Sequence, residues 1–279
     1  GRTEKVLAKL KELGVDDPSD WIIENSNLSD KVPAMNDYLY KRLQRRGYTE
    51  RDVQRMVNQE RNVFAALLVA LGHGEGMITG LTRTYAQTAR EVARVIDPKP
   101  GATQFGIHMM IGKNQTTFLA DTTINERPSA AMLAHIARET AAVARRMGHE
   151  PRVAFLSYST FGNPSVQWLN NLRDAVALLD ADDTVDFEYE GEMAPDAALN
   201  PKVMALYPFS RLSGPANVLI MPGLQSANLS AKLLRELGGD ATIGPMMIGM
   251  EKPVQIAPMT AIAPDVLTLA VLASAGVVG

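Results

Sequence analysis

Ser157-Tyr158-Ser159-Thr160-Phe161-Gly162-Asn163 is a hydroxyl-rich run with a glycine near its end, and it lies between a predicted strand and a predicted helix. Loops at the carboxyl end of a strand in an open sheet are where anionic ligands gather. Ordinary turn chemistry uses the same residue types, so the run supports both readings. Asp265 follows Pro264 at the start of the last predicted helix. It is either a carboxylate resting on the positive helix end, worth about 0.3–1 kcal/mol, or a general base, which needs a substrate proton within hydrogen-bond reach. Position alone favours the first. Asp180, Asp182, Asp183, Asp186, Glu188, Glu190 and Glu192 form an acidic run across a predicted loop and strand, read as solvated surface rather than a cation site.

Other chemistries are weaker. The four histidines, His73, His108, His135 and His149, form no spaced pair with each other or with a carboxylate that suits a metal. The chain has no cysteine, which removes disulfides, thiolate nucleophiles and cysteine-based metal sites. Gly72, Gly74 and Gly76 follow a helix and precede a strand, the reverse of the order in a phosphate-cradling loop. Net charge is -3, so nothing draws the chain globally to nucleic acid or to acidic membranes, and a phosphorylated ligand needs a local cluster of Lys and Arg. No apolar run reaches the roughly 18 residues that span a bilayer, and no signal-peptide pattern opens the chain. The expectation is a cytoplasmic protein without nucleic-acid or membrane partners.

The elements that must hold these residues change character along the chain. At 279 residues, 46% hydrophobic and 21% charged, the composition is that of a globular protein with room for two cores. The first hundred residues read as mostly helical. Thr49 and Asp52 have capping-box spacing, and Val63, Phe64, Leu67, Leu68 and Leu71 share one face of a helix over 60–71. A strand is predicted at 76–79 and a helix at 84–96. Asp97-Pro98-Lys99-Pro100-Gly101 is a linker, since two prolines and a glycine continue neither helix nor central strand. Beyond it, short apolar runs at 106–111, 117–120, 153–158, 185–189, 218–221 and 243–248 alternate with helical stretches at 129–147, 164–179 and 226–237. Asn163-Pro164 reads as the cap and first residue of the second of these helices. Continuous apolar strands separated by helices predict an α/β/α layered domain. Met77, Met109, Met110, Met246, Met247 and Met250 are expected as core filler, and a final helix spans 264–275.

Several motifs occur in a shared order. Gly80-Leu81-Thr82-Arg83-Thr84-Tyr85-Ala86-Gln87-Thr88-Ala89-Arg90, Leu119-Ala120-Asp121, Leu156-Ser157-Tyr158-Ser159-Thr160, Glu190-Gly191-Glu192, Asn217 through Lys232, Gly244-Pro245 and Lys252-Pro253-Val254 resemble phosphate acetyltransferases over nearly the whole chain. Tyr207 through Asn217 and Met250 through Met259 resemble in particular the phosphotransacetylase-like C-terminal domain of bacterial hybrid NADP-dependent malic enzymes. The resemblance implies two α/β/α domains with a ligand cleft between them, the first made of residues 1–97 plus 254–279 and the second of 98–253. It also implies dimerisation. Family members begin with a strand and helix not found before Gly1-Arg2, so an N-terminal strand is expected to be missing.

The same resemblance marks a loss. Family transferases place a serine that assists developing charge and an arginine that holds acetyl phosphate at the positions of Pro258 and Met259, and a base that deprotonates coenzyme A at Asp265. Only the base position survives in this sequence. A methionine cannot supply the planar, permanently charged fork of arginine, and one such lost contact costs a factor of about a hundred to a thousand in rate. The implied function is therefore a regulatory and oligomerisation domain that binds acetyl-CoA as an inhibitor. Arg90, Lys232 and Lys252 are its expected anion contacts, and Ser157, Thr160 and Asn228 its polar partners. Malate oxidation, with NADP and Mg or Mn, would belong to upstream domains outside these residues. The rival readings are an active phosphate acetyltransferase using Asp265 and Arg90, and a structural dimerisation domain without ligand.

Overall fold

A computed structural model describes every residue except Asn114, Val166, Gly239, Asp240 and Gly279, together with the side chain of Trp168. The chain divides into two compact units, residues 1–77 with 88–97, and residues 78–87 with 98–279.

The first unit is helical among its described residues. It holds α1 (Thr3–Glu12), α2 (Val32–Leu43), α3 (Glu50–Gln59) and α4 (Arg61–Ala70). Met35, Leu39 and Leu43 of α2, Val53 and Val57 of α3, and Val63 and Leu67 of α4 are buried at helical spacing, the periodicity visible in the sequence. Thr49 Oγ1 accepts from the Asp52 backbone N at 3.2 Å and Asp52 Oδ2 accepts from the Thr49 backbone N at 3.0 Å, so the predicted capping box starts α3. Strand β1 (Met77–Gly80) and helix α5 (Tyr85–Val92) follow.

The second unit is a layered α/β structure. Its main sheet contains β2 (Phe105–Ile111), β3 (Thr116–Ala120), β4 (Arg152–Leu156), β5 (Glu188–Met193), β6 (Val218–Ile220) and β7 (Ala241–Ile248) in the order β5-β4-β6-β3-β2-β7. The strands β3, β6, β4 and β5 run parallel, while β2 pairs antiparallel with β3 and β7. A two-stranded sheet joins β1 to β8 (Val254–Ala257).

Alternating side chains on the parallel strands feed two cores. Phe118, Val153, Phe155, Val218 and Ile220 face one, with Leu133 and Ile136 of α6 (Ala130–Arg146) and Leu172 and Val176 of α7 (Asn170–Asp180). Leu119, Ala154, Leu156 and Leu219 face the other, with Ala197 and Ala198 of α8 (Pro195–Leu199), partly buried Val203 and Met204 of α9 (Pro201–Met204), and Ala227 and Ala231 of α10 (Leu224–Gly238). This is why the strands read as continuous apolar runs: both faces are covered. The chain steps from β3 through α6 and α7 to β5 on one face, then returns to β6 on the other, as right-handed crossovers require.

Three expectations change. The helix expected at 164–179 begins at Asn170. Asn163 instead donates its backbone N to Thr160 O at 3.1 Å and Pro164 O accepts from Ser159 Oγ at 2.9 Å, so both belong to the loop; Val166 lies outside the described residues. The strand expected at 185–189 lies at Glu188–Met193. Residues 254–279 fall in the second unit, where β8 contacts β7, and Leu269 and Leu272 of α11 (Ala263–Ser274) share the core with Met246 and Ile248.

Candidate functional site

In an open α/β sheet a ligand crevice forms where the strand order reverses, which here singles out the carboxyl ends of β3, β6 and β4. The exits of β3 and β4 lead to helices on one face, whereas the exit of β6 leads to α10 on the other, which opens a crevice between them. Two neighbouring cavities occupy it. One of about 740 Å³ is lined by Glu126 and Arg127 after β3, Asn171 of α7, and Pro222, Ser226 and Leu229 after β6. The other, about 360 Å³, is lined by Leu156, Ser157 and Tyr158 after β4, with Leu169, Pro195 and Met221; Pro222 and Ser226 border both. The loops meet closely at Gly223, where a Cβ would stand 2.5 Å from Glu126 O.

Two carboxylates fix the loops around this crevice. Asp121 Oδ1 accepts from the backbone N of Gly106 and Thr123 at 2.9 and 2.8 Å, and Oδ2 accepts from Asn125 N and Nδ2, both at 2.7 Å. Glu192, 1% exposed, takes Arg173 in a fork, Nε to Oε2 at 2.7 Å and Nη2 to Oε1 at 2.9 Å. It also accepts from Ser159 Oγ and the Gly162 N, both at 2.8 Å. Burial alone would raise the Glu192 pKa, but the Arg173, Ser159 and Gly162 bonds outweigh it and hold it down to about 2.

A third cavity, about 370 Å³ and polar, lies beside β2 and the start of α11, lined by His108, Arg235, Thr242, Pro258, Thr260 and Asp265 among others. Thr122 Oγ1 donates to Gly106 O at 3.1 Å, so His108 Nδ1, 2.7 Å from that hydroxyl, is assigned as the donor to it. Burial first, and then the cations Arg235 and Lys232, lower the His108 pKa to about 4, leaving a neutral imidazole at neutral pH. Asp265 Oδ2 accepts from the Ile262 backbone N at 2.9 Å, the capping role that position favoured.

The expected site residues are distributed as follows. Ser157 lines the crevice, and its Oγ accepts from Ser159 N at 3.0 Å. Thr160 Oγ1 instead accepts from Ala194 N at 3.0 Å. Asn228 donates Nδ2 to Thr122 O at 3.0 Å, beside His108, and Lys232 is exposed one turn further along α10. Pro258 and Asp265 line the polar cavity, and Met259 is 57% exposed in the following turn. Lys252 is exposed between β7 and β8, and Arg90 sits on α5 in the first unit. The structure thus brings Asn228, Lys232, Pro258 and Asp265 around one imidazole. His108 and Arg235 were not singled out as ligand contacts; the sequence signal for Arg235 was its one-turn spacing from Lys232.

The acidic run is not simply solvated. Glu190 and Glu192 are buried, with Arg211 and Arg173 as partners, and Asp182 and Asp186 bind Arg138 and Arg145, both at 2.6 Å. Among the described residues no group of three or more His, Asp or Glu stands where it could hold a metal ion.

Comparison with known proteins adds the lineage. The family described as phosphate acetyl/butaryl transferase matches residues 1–274. An NADP-dependent malic enzyme of Rhizobium meliloti is 50% identical over 275 residues, which is 98% of this chain and 36% of that protein. A phosphate acetyltransferase of Staphylococcus aureus is 29% identical over 280 residues, covering 99% of this chain and 84% of the relative. The crystal structure of a phosphotransacetylase from Streptococcus pyogenes superposes with a TM-score of 0.89 at 31% identity, covering 99% of this chain and 84% of that one. The chain spans about a third of the length of the malic enzymes it matches.

Proposed function

The chain belongs to the phosphate acetyl/butaryl transferase family, and from that premise we propose that it is a regulatory and oligomerisation domain that binds acetyl-CoA without transferring its acetyl group. The observation that carries this reading is the polar cavity. On the resemblance Pro258 takes the place of the family serine; Asp265 is engaged as a helix cap, and of the cationic neighbours Arg235 pairs at 2.9 Å with Glu236 of the same wall while Lys232 is exposed one turn away. With Arg235 paired and Asp265 used as a cap, Lys232 is the cation that would hold an anion at this pocket. The pocket lacks, at Met259, the guanidinium that would hold acetyl phosphate in the transition state.

The longer malic enzymes at 50% and 44% identity support a setting in which bound acetyl-CoA restrains malate oxidation carried out elsewhere in such a protein. NADP and a divalent Mg or Mn ion would act there. The part of acetyl-CoA beyond the thioester has room in the crevice. There the apolar walls from Leu156, Leu169 and Met221 suit its pantetheine arm, and Arg127 suits its phosphates. Of the other expected contacts, Arg90 and Lys252 are retained as candidates and Thr160 as a loop-positioning residue.

The deciding experiment is a coupled assay of acetyl phosphate formation from acetyl-CoA and phosphate. The expected outcome is no turnover above the uncatalysed rate, in the chain as it stands and in Asp265→Asn alike. Turnover abolished by Asp265→Asn would instead establish an active transferase.

A further inference from the structure

The amino end of the main sheet carries another cavity, of about 390 Å³, lined by Lys113, Gln115, Thr116, His149, Arg152 and Asn217. Thr116 and Arg152 open β3 and β4, and Asn217 immediately precedes β6. The cavity is therefore at the opposite end of these parallel strands from the crevice, about 13 Å away along β4.

Its walls are set by protein contacts. Arg152 Nε donates to Pro215 O at 2.8 Å and the Arg152 backbone N to Asn217 Oδ1 at 2.7 Å. Asn217 Nδ2 donates to Glu150 O at 2.8 Å and Gln115 Nε2 to Ala216 O at 2.6 Å. The His149 ring meets the edge of Phe118, with centroids 5.6 Å apart. These bonds hold the Arg152 stem, yet among the described residues neither its terminal guanidinium nitrogens nor Lys113 Nζ has a hydrogen-bond or ion-pair partner. The nearby carboxylates are engaged. Glu188, the register partner of Arg152 on β5, accepts from Ser213 N and Oγ at 2.8 and 2.9 Å, and Glu150 pairs with Arg145 at 3.0 Å.

A partly buried guanidinium with its fork open, beside a lysine and an imidazole and with no carboxylate on the wall, matches one ligand chemistry. A phosphoryl oxyanion accepts two parallel bonds from such a fork, a point charge from lysine, and further bonds from histidine and amide donors. We propose that this cavity is a second anion site, separate from the acetyl-CoA site, that binds a small phosphoryl compound through Arg152, Lys113 and His149. The volume exceeds that of free phosphate and accommodates a short phosphomonoester.

The test is calorimetric titration of the full chain with inorganic phosphate and, separately, with glycerol 3-phosphate, against sodium chloride at matched ionic strength to remove general screening. Saturable binding of either phosphoryl compound is expected, about tenfold weaker in Lys113→Ala and in Arg152→Gln, with acetyl-CoA binding unchanged in both. Tighter binding of the ester identifies a metabolite site, and equal or tighter binding of phosphate identifies a phosphate site. Lys113 is exposed and its substitution leaves the wall intact, so Lys113→Ala decides alone if Arg152→Gln fails to fold. Saturation by neither compound at millimolar concentration, or binding undiminished in the variants, overturns the proposal.

Discussion

At the scale of single residues, His108 and Glu192 carry the clearest consequences. Burial and the nearby cations hold the His108 pKa down to about 4, whereas a solvated histidine titrates near 6.5. Between those values the unfolded chain binds the extra proton, so this residue subtracts stability as pH falls through the window. Proton NMR of the His108 ring should show a midpoint of about 4, moving upward when an anionic ligand offsets Lys232 and Arg235. A midpoint near 6.5 would mean that the imidazole is not held in this environment. Glu192 works in the opposite sense. With its pKa depressed from 4.5 to about 2, it adds stability that is complete above about pH 4.5 and lost as pH falls toward 2. Allowing for solvent around partly exposed Arg173, that is worth about 2 kcal/mol. Glu192→Gln should lower the urea midpoint at pH 7 and flatten the pH dependence between 4.5 and 2. An unchanged acid limb would show that the ion pair contributes nothing. Neither role could be read in the sequence. Glu192 sits in a run of seven acidic residues, and its burial depends on Arg173 and Ser159, which the fold brings to it from other elements.

At the scale of elements, local signals reached as far as local physics does. The Thr49–Asp52 box and the helical spacing of Val63 and Leu67 depend on residues within a few positions of each other, and the structure contains both as expected. The apolar strands 106–111, 117–120 and 218–221 were legible because burial on both faces removes polar positions. Asn163-Pro164 misled for the converse reason. Its cap-like composition serves a loop whose partners, Ser159 and Thr160, are fixed by Glu192 and Ala194 from the next strand and its exit. Site geometry was less legible still. Pro258 and Asp265 could be placed by ordered motifs, but the histidine they surround comes from β2, about 150 residues earlier by the numbering of this chain. Thr160→Ala should therefore act on stability rather than on ligand affinity, lowering the melting temperature while leaving the acetyl-CoA dissociation constant unchanged. A weakened affinity with unchanged melting would return Thr160 to the ligand contacts.

At the scale of the molecule, the second unit presents an apolar ridge. Leu233 and Leu237 lie one turn apart on α10, with Leu234 beside them, and all are about half exposed or more. A contiguous apolar ridge on a helix favours a self-complementary partner across a two-fold axis. If the proposed oligomer forms through this ridge, the double substitution Leu233→Glu with Leu237→Glu should reduce the mass seen by sedimentation to that of the monomer. An unchanged mass would remove α10 from the interface. Composition and strand–helix alternation disclosed the layered architecture, and no helix of the described residues is long and apolar enough to cross a membrane. On the function proposed above, a transferase scaffold keeps its ligand without the serine and arginine of catalysis. Calorimetric titration of acetyl-CoA into the chain is the decisive measurement. Saturable binding of one acetyl-CoA per chain is expected, weakened by about tenfold in Lys232→Ala, whereas the absence of any binding heat or thermal stabilisation would leave a ligand-free structural domain.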